Sequence, residues 1–455
     1  MSCSSPALLI PVEEQVREFD AKLLFACCAA ERGFRAVIGS RHQMHLQAAR
    51  LPRGIYFAKS FRKLSVRMFE ILRGLDCRVV ACDEEALIPY PDALYFERRA
   101  SPEALALVSA FFAWGPASAA LLMRCPGYPG SPIYDTGNPR GDLMRRDLRP
   151  LLAEPARALR ERFGDFVLVN TNFGAVNHFV PRLGWLNRPE KRRLATLPHG
   201  YVDELAAHRR ALFEHFQLML PALARALPER TIVLRPHPVE DHRFWLRAAQ
   251  GLPNVHVVHE GNVLPWLEAA SVLVHNGCTT GVEAFALERA AISYCPVVSA
   301  EHDRFLPNAL GYRASTLPEL TALVREIADA GLGAPADPAQ HQLLAEHLSA
   351  QDGPLASDRI ADALVQLLPS GDGPPARSWP ARAAAVLHAE GRALVKRAQG
   401  LRRGNENHPE YQRHRYTGVT PAELEARIAE LGRVLGRFDK LAARPLGAHL
   451  YEIRA

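Results

Sequence analysis

Val272-Leu273-Val274-His275-Asn276-Gly277-Cys278-Thr279-Thr280-Gly281-Val282-Glu283-Ala284 reads as a buried strand, a turn of small residues and the opening of a helix. The strand is expected to end at His275 and the helix to start near Thr280. Free backbone N–H groups at a helix start, two hydroxyls and the helix dipole make an anion site. Asn276, Gly277, Thr279, Thr280 and Gly281 are therefore phosphate-binding candidates, the glycines because they let a phosphate approach the backbone. Glu283 lies one turn in, where a carboxylate can accept hydrogen bonds from a ribose diol. A helix cap would explain Thr279-Thr280-Gly281 alone; the whole string favours phosphate. A strand that ends in a ligand-ready helix start belongs to an open parallel α/β sheet.

Working outward, Ile232-Val233-Leu234-Arg235-Pro236-His237-Pro238 is a second such strand, expected to neighbour the first. It delivers Arg235 and His237 to its carboxyl end. His237 can donate to a phosphate oxygen, Arg235 can bind one bidentately, and the prolines fix the backbone between them. Phe166–Asn170 begins this α/β unit, and Asn170-Thr171-Asn172-Phe173-Gly174, with Asn177 and His178, follows it. Asn170 and Asn172 there offer neutral donors and acceptors to a hydroxyl-rich ligand, although a turn explains the segment equally well. A helix over His208–Leu227 and strands at Val255–His259 and Ala291–Tyr294 complete the unit.

The first third of the chain alternates in the same way. Strands are expected at Ala7–Pro11, Ala36–Gly39, Gly54–Phe57, Arg78–Cys82 and Ala110–Trp114, with a helix over Arg17–Arg32. A Pro/Gly-rich loop to Arg140 leads into a helix at Asp142–Leu152. Asp83-Glu84-Glu85 end one strand, and mutual repulsion could raise one of these acids toward proton-transfer range. A solvated turn is the plainer reading of any one of them. Glu13 and Glu14, with Arg17, follow the first strand, and Lys59 follows the third. Arg17, Lys59 and Arg140 are candidate sugar or acceptor contacts; an i,i+3 pair of Arg17 with Asp20 is the plainer reading of the first.

The 455 residues suggest two or three domains at roughly 150 residues each. A chain 48% hydrophobic and 23% charged is an ordinary globular protein, which excludes a mainly disordered one. The net charge of +6 is too mild to argue for nucleic acid, and no aromatic-basic module is visible. The eight cysteines show no C-x₂-C pair, so reduced thiols and a cytoplasmic location are expected. Met1–Pro11 lacks the features of a signal peptide. Ala104–Met123, broken by Trp114-Gly115-Pro116, reads as helix, strand and helix rather than a membrane span. Walker A, G-x-S-x-G, H-E-x-x-H and G-x-G-x-x-G motifs are missing, and no metal is expected.

Leu368–Pro380 reads as a linker, followed by helices at Ala381–Gly400 and, from a Thr420-Pro421-Ala422-Glu423 capping box, to about Leu435. Gly404–Gly418 between them reads as loop. Between Arg392 and Arg415 seven Lys/Arg and two Asp/Glu give 7 − 2 = +5. A weak, salt-sensitive contact with an anionic membrane surface is expected through this stretch, against the plainer reading of a solvated helix face.

These residues resemble bacterial surface carbohydrate biosynthesis proteins, which are similar to the GT-B glycosyltransferases of capsule and O-antigen assembly. The resemblance runs nearly end to end. It takes in Pro11-Val12-Glu13 with Arg17-Glu18-Phe19-Asp20, Gly54-Ile55-Tyr56 with Lys59-Ser60, Asp83-Glu84-Glu85, and Thr136-Gly137-Asn138-Pro139-Arg140 with Asp142. It continues through Arg235-Pro236-His237-Pro238 and His275 to Ala284, and closes with Tyr416-Thr417-Gly418. A His-Pro pair plus a hydroxyl pair also looks like the CMP-binding arrangement of bacterial sialyltransferases and Kdo transferases. That likeness implies His237 and Thr279-Thr280 on the CMP phosphate and Glu283 on the ribose. Kdo transferases of capsule synthesis place an acid in the loop that here carries Asn170–Gly174, so the catalytic carboxylate must come from Asp83, Glu84, Glu85 or Glu13.

The reading is an α/β protein of GT-B type, two Rossmann-like domains facing a cleft with a helical C-terminal extension. Its expected divisions are 1–155 for acceptor and catalysis, 156–370 for the nucleotide sugar, and 371–455 for linker and extension. The expected activity is transfer of a sugar from a nucleotide donor, CMP-linked and ulosonic, to a surface polysaccharide or its lipid-linked precursor, with no other cofactor. The alternatives are a non-hydrolysing nucleotide-sugar epimerase and a non-catalytic nucleotide- or glycan-binding assembly protein. The expected location is the cytoplasm, with peripheral contact at the inner membrane.

Overall fold

The computed structural model describes residues 5–89, 91–181, 184–187, 197–368 and 378–455. Contacts divide the chain into two units. One comprises Met1–Leu87, Arg98–Leu151 and Ala345–Ala455, the other Ile88–Glu97 and Leu152–Leu344.

In the first unit β1 (Ala7–Val12), β2 (Arg35–Ser40), β3 (Gly54–Ala58), β4 (Arg78–Cys82), β5 (Ala110–Ala113) and β6 (Ile133–Asp135) are parallel. The first five are nearly continuous apolar runs, as strands covered by helices on both faces require. Their order is β2-β1-β3-β4-β5-β6, so the winding reverses between β1 and β3. Phe57 joins the layers, with its ring 5.0 Å from Phe25 of the helix Gln15–Glu31 and 5.6 Å from Phe112 of β5.

The second unit holds β7 (Phe166–Asn170), β8 (Thr231–Arg235), β9 (Val255–Val257), β10 (Val272–His275), β11 (Ala291–Tyr294) and β12 (Tyr312–Ala314). All are parallel, in the order β12-β11-β10-β7-β8-β9. The winding reverses between β7 and β10. The helix Tyr201–Ala226 presses Leu212, Phe216, Met219 and Leu223 onto Val167, Val169, Ile232 and Leu234. The two strands expected to be neighbours, β8 and β10, are separated by β7, because the first strand of a doubly wound unit lies at its centre.

The expected helical C-terminal region is present, and it ends in strands. The helices Trp379–Gly400 and Pro421–Leu435 form, the second with the expected Thr420–Glu423 capping box. The chain then makes a hairpin, β13 (Ala442–Gly447) and β14 (Leu450–Arg454), and β14 pairs antiparallel with β2. The tail thus completes the first sheet. Residues 345–368 also belong to the first unit rather than the second. Asp142 holds them there, accepting from Ala356 N at 2.7 Å, Ser357 N at 2.9 Å and Ser357 Oγ at 2.7 Å at the start of the helix Ala356–Gln366. Most of the expected linker, 369–377, lies outside the described residues.

Two local expectations are corrected. The helix expected over Asp142–Leu152 is broken into Pro139–Asp142 and Pro150–Phe163, since Pro150 fits a first turn and not a helix interior. The loop Gly404–Gly418 contains a short helix, Pro409–Arg415, with proline at its first position and a basic last turn. Among the described residues Cys27, Cys28, Cys77, Cys82, Cys125, Cys278 and Cys295 are buried free thiols. No described helix is long and apolar enough to cross a membrane.

Candidate functional site

In the second unit β10 ends at His275 and the helix Thr279–Ala286 starts after the turn Asn276-Gly277-Cys278. This turn sits at the carboxyl end of β10, and Asn170-Thr171-Asn172 sits at the end of adjacent β7. The two loops thus meet where the winding reverses, the place where ligands of open α/β sheets bind. Asn172 Nδ2 donates to Gly277 O at 3.0 Å and ties them together. Three polar atoms here are buried without a partner: Asn170 Oδ1, Asn172 Oδ1 and Thr280 Oγ1. Buried polar atoms are normally satisfied, so three orphans on two adjoining loops mark this place as the candidate ligand site of the second unit.

Gly281 has no room for a side chain. A Cβ there would lie 2.3 Å from the His275 ring, which packs beneath the helix start. Burial pushes the His275 imidazole down to about 3, so the ring is neutral, with Nε2 3.3 Å from Ser293 Oγ. Gly277 has φ 51°, a conformation costly for any side chain but glycine's hydrogen. Its N–H is already donated to Asn308 Oδ1 at 2.7 Å, and Asn276 Nδ2 to Tyr294 O at 2.9 Å. Both groups shape the turn, and the donors available to an anion are those of the helix's first turn.

Arg235, expected as a bidentate phosphate contact, has one nitrogen committed to backbone carbonyls, while its Nε is buried without a partner. Its Nη2 donates to Glu260 O at 2.9 Å and to Gly261 O, and its guanidinium stacks 5.8 Å from the Trp266 ring. Burial lowers its proton affinity to about 10, while the nearby Glu283 works the other way. Glu283 is itself buried, at 4% exposure. His237 is half-buried at the carboxyl end of β8, and its Nδ1 accepts from Val239 N at 3.3 Å.

Three residues that the sequence reading passed over belong to this place. Glu240 is buried and accepts from Thr171 Oγ1 at 2.7 Å, Trp245 Nε1 at 2.9 Å, Phe173 N at 3.0 Å and His237 N at 3.2 Å. It therefore fixes the 171–173 and 235–238 turns together. Burial raises its carboxyl against those hydrogen bonds. Arg209 and Arg304 flank the Gly277 turn, where a Cβ would lie 3.2 Å from Arg304 Cβ and 3.9 Å from Arg209 Nη1. Nothing in the local sequence marks either arginine, because both arrive from distant elements.

In the first unit the carboxyl ends of β1, β3 and β4 carry an ionic network. Glu13 Oε2 is 2.9 Å from Lys59 Nζ, and Glu13 Oε1 is 2.8 Å from Arg415 and 3.0 Å from Arg41. Burial works to raise the Glu13 carboxyl, but Lys59, Arg41 and Arg415 outweigh it and hold it well below the usual range. Glu18 is bound by Lys59 and by Lys22 at 2.8 Å, and Lys22 Nζ lies 3.4 Å from Glu84.

The three acids expected to repel one another, Asp83, Glu84 and Glu85, each lie beside a cation: Arg99 for Asp83, Lys22, shared with Glu18, for Glu84, and Arg17, at 2.8 Å, for Glu85. Burial opposes ionisation of Glu85, but Arg17 and Arg99 hold its carboxyl down to about 2. The Glu14 carboxyl is raised, by burial acting against Arg415. Arg17 therefore pairs with Glu85, at 2.8 Å, as does Lys59 with Glu13, at 2.9 Å. Arg140 is buried with its guanidinium 5.6 Å from the Trp114 ring. Among the described residues Glu204, Glu301 and His302 of the second unit could bring metal-ligating atoms within 4.8 Å of one another.

No family model and no curated protein matches the chain. Among solved structures it is similar to the UDP-GlcNAc 2-epimerase of Methanocaldococcus jannaschii in complex with UDP-GlcNAc and UDP, at 12% identity and TM-score 0.47, over 79% of this chain and 99% of that one. It is similar to the wall teichoic acid polymerase TagF at 10% identity and TM-score 0.47, over 80% of this chain and 88% of that one. Anabaena Alr3699/HepE in complex with UDP-glucose is similar at 10% identity and TM-score 0.41, over 80% of this chain and 99% of that one.

Proposed function

We propose that this protein is a GT-B-type glycosyltransferase that takes a nucleotide sugar at the winding reversal of its second unit. The observation that carries this reading is the coincidence of unpartnered Thr280 Oγ1, Asn170 Oδ1 and Asn172 Oδ1 with a helix start kept bare by Gly281. The N–H groups of Thr279 and Thr280, the Thr280 hydroxyl, His237 and the flanking Arg209 and Arg304 would meet the charge that develops on the departing phosphate. The asparagines suit ribose or sugar hydroxyls. The donor proposed is a CMP-linked ulosonic acid, and the acceptor a surface polysaccharide or its lipid-linked precursor. The first unit is assigned the acceptor and the base that deprotonates it.

The test is thermal unfolding with CMP, CDP, UDP and GDP. A ligand at about 100 times its Kd adds roughly 2.7 kcal/mol. CMP is expected to stabilise most. Stabilisation by UDP alone would reassign the donor, and none by any nucleotide would end the reading.

The membrane contact is proposed for the outer face of the helix Trp379–Gly400 rather than for its basic residues alone. Lys396 is half-buried, whereas Leu387, Leu394, Val395 and Leu401 are 72%, 61%, 56% and 85% exposed beside exposed Arg397, Arg402 and Arg403. An apolar face flanked by cations suits an anionic bilayer surface. Co-sedimentation with anionic liposomes should fall with salt and in Arg402→Glu/Arg403→Glu. Equal sedimentation with neutral liposomes would contradict it.

A further inference from the structure

The helix Trp379–Gly400 packs against the helices Arg41–Leu46 and Val66–Gly74, and its buried stripe is Ala385, Ala389 and Ala393. The approach at one end is close enough that a Cβ on Gly74 would lie 2.7 Å from Ala385 Cβ. Arg392 and Lys396 lie on that same stripe, each three residues beyond one of its alanines. Inward positions of a packed helix are ordinarily apolar. Here two consecutive turns present cations to the neighbouring helix, which answers with a third, Arg41.

Arg41 has Glu13 at 3.0 Å, but the surroundings do not neutralise Arg392 and Lys396. Arg392 Nη1 is buried without a hydrogen-bond partner. Lys396 has no carboxylate within ion-pair distance among the described residues. Its ammonium is brought down to about 8 by burial and then by Arg392 and Arg41, with Glu406 and Glu13 opposing. Glu13 is the acid that reaches Arg41, at 3.0 Å, and it is already shared with Arg415 and Lys59. His42 and His45 line the same place, and His45 Nε2 is 2.7 Å from the Tyr56 hydroxyl. Burial first, and then Lys396 with Arg392 or Arg41, keeps both imidazoles neutral, with His42 at about 4. Arg41 directly follows β2, so the cluster stands at the carboxyl end of the first sheet.

We propose that Arg41, Arg392 and Lys396 form a binding site for a phosphate-class dianion in the first unit, separate from the nucleotide site of the second. Like charges brought together and partly withdrawn from water repel one another, and an anion between them relieves that repulsion. Two guanidinium forks and an ammonium present more donors than one carboxylate can accept, and their charge exceeds that of a monoanion. Phosphate or diphosphate, free or on a lipid, meets both conditions.

The test is calorimetric titration of the full-length protein with inorganic phosphate and pyrophosphate against sodium chloride of equal ionic strength. Binding is expected in the wild type, with affinity about tenfold or more weaker in Arg392→Gln/Lys396→Gln. Lys396→Gln alone is the second variant should the double one not fold. Vesicles of phosphatidylcholine with and without phosphatidic acid separate the sources. If both variants lose affinity for phosphatidic acid vesicles as well, a lipid phosphate uses the site. If they lose only inorganic phosphate, the ligand is soluble. A wild type that binds neither inorganic anion, or variants that bind them undiminished, overturns the proposal. Because CMP binding reads the second unit, failure here and failure of the nucleotide reading are distinguishable.

Discussion

Glu13 Oε2 and Lys59 Nζ lie 2.9 Å apart, one just beyond β1 and the other just beyond β3, at the point where the first sheet reverses its winding. A doubly wound sheet opens a crevice there, and this chain fills it with charge. Lys59 also holds Glu18, whose side chain is 3% exposed. One ammonium thus serves two carboxylates that water scarcely reaches. Lys59→Met should leave Glu13 to Arg41 and Arg415 and Glu18 to Lys22, each short of one charged partner, and cost about 1–3 kcal/mol of unfolding free energy in urea titrations. Lys59→Met/Glu18→Gln should recover part of that loss. If Lys59→Met is as stable as the wild type, the network does not support the fold.

The nucleotide site yields a packing test. Gly281→Ala places a methyl group 2.3 Å from the His275 ring carbon, beneath a helix start that cannot move without breaking the turn. Overpacking of this kind costs about 1–3 kcal/mol. The expected result is a lowered melting temperature and loss of nucleotide binding. Gly281→Ala/His275→Ala should restore part of the melting temperature, since the clashing ring is gone. No recovery in the double variant would show that the clash is not the cause.

His237→Ala is expected to weaken nucleotide binding by roughly 1.5–3 kcal/mol through loss of one charge-assisted contact. The fold should persist, because Glu240 braces the two turns. Unchanged affinity by calorimetry would remove His237 from the site.

The strand-and-turn part of this site was legible in the sequence for a local reason. Val272–His275 is a continuous apolar run, and Gly277 and Gly281 punctuate the helix start that follows. The expected β7, β10 and β11 coincide with the observed strands. What could not be read is what arrives from far along the chain. Arg209 and Arg304 reach the Gly277 turn from distant elements, and Arg415 reaches Glu13 from the far end of the sequence. The hairpin Ala442–Arg454 carries arginines, a proline and a glycine, a poor strand signal, and it forms because β2 offers an edge. The acids at 83–85 looked mutually repulsive because their cations, Arg99, Lys22 and Arg17, are not neighbours in sequence.

Asp142 gives a pH dependence with a definite sign. Burial raises its carboxyl to about 6, against hydrogen bonds from Ala356 and Ser357. A folded-state value above the unfolded one means that this group's contribution is fully present below the unfolded pKa, near 3.8, and is lost as pH rises through about 6. The window corresponds to about 3 kcal/mol at 1.36 kcal/mol per unit. Asp142→Asn keeps an acceptor for the helix start and removes the titration. The stability difference between the wild type and Asp142→Asn should therefore change between pH 4 and pH 6, in the variant's favour as pH rises, in urea titrations at each pH. Parallel profiles would show that Asp142 ionises in the folded protein as it does in the unfolded one.

The base is the last question the first unit poses. A general base needs proton affinity near the working pH, and a carboxylate held down by fixed cations lacks it. Glu13 is held well down by Lys59, Arg41 and Arg415 against its burial, and Glu85 is held to about 2, chiefly by Arg17. Asp83 and Glu84 are only 3% and 4% exposed, so a hydroxyl has little access to them. Glu14 differs, since burial raises its carboxyl and its side chain is 29% exposed, so that a hydroxyl can reach it. Glu14→Gln is therefore expected to lower turnover about 100-fold or more with nucleotide affinity unchanged. Asp83→Asn, Glu84→Gln and Glu85→Gln should act mainly on stability. The wild-type rate should fall as pH drops through the raised Glu14 value, and the fall should vanish from the residual rate of Glu14→Gln. If Glu14→Gln turns over normally while one of the other three does not, the base is that residue and Glu14 is only an anchor for Arg415.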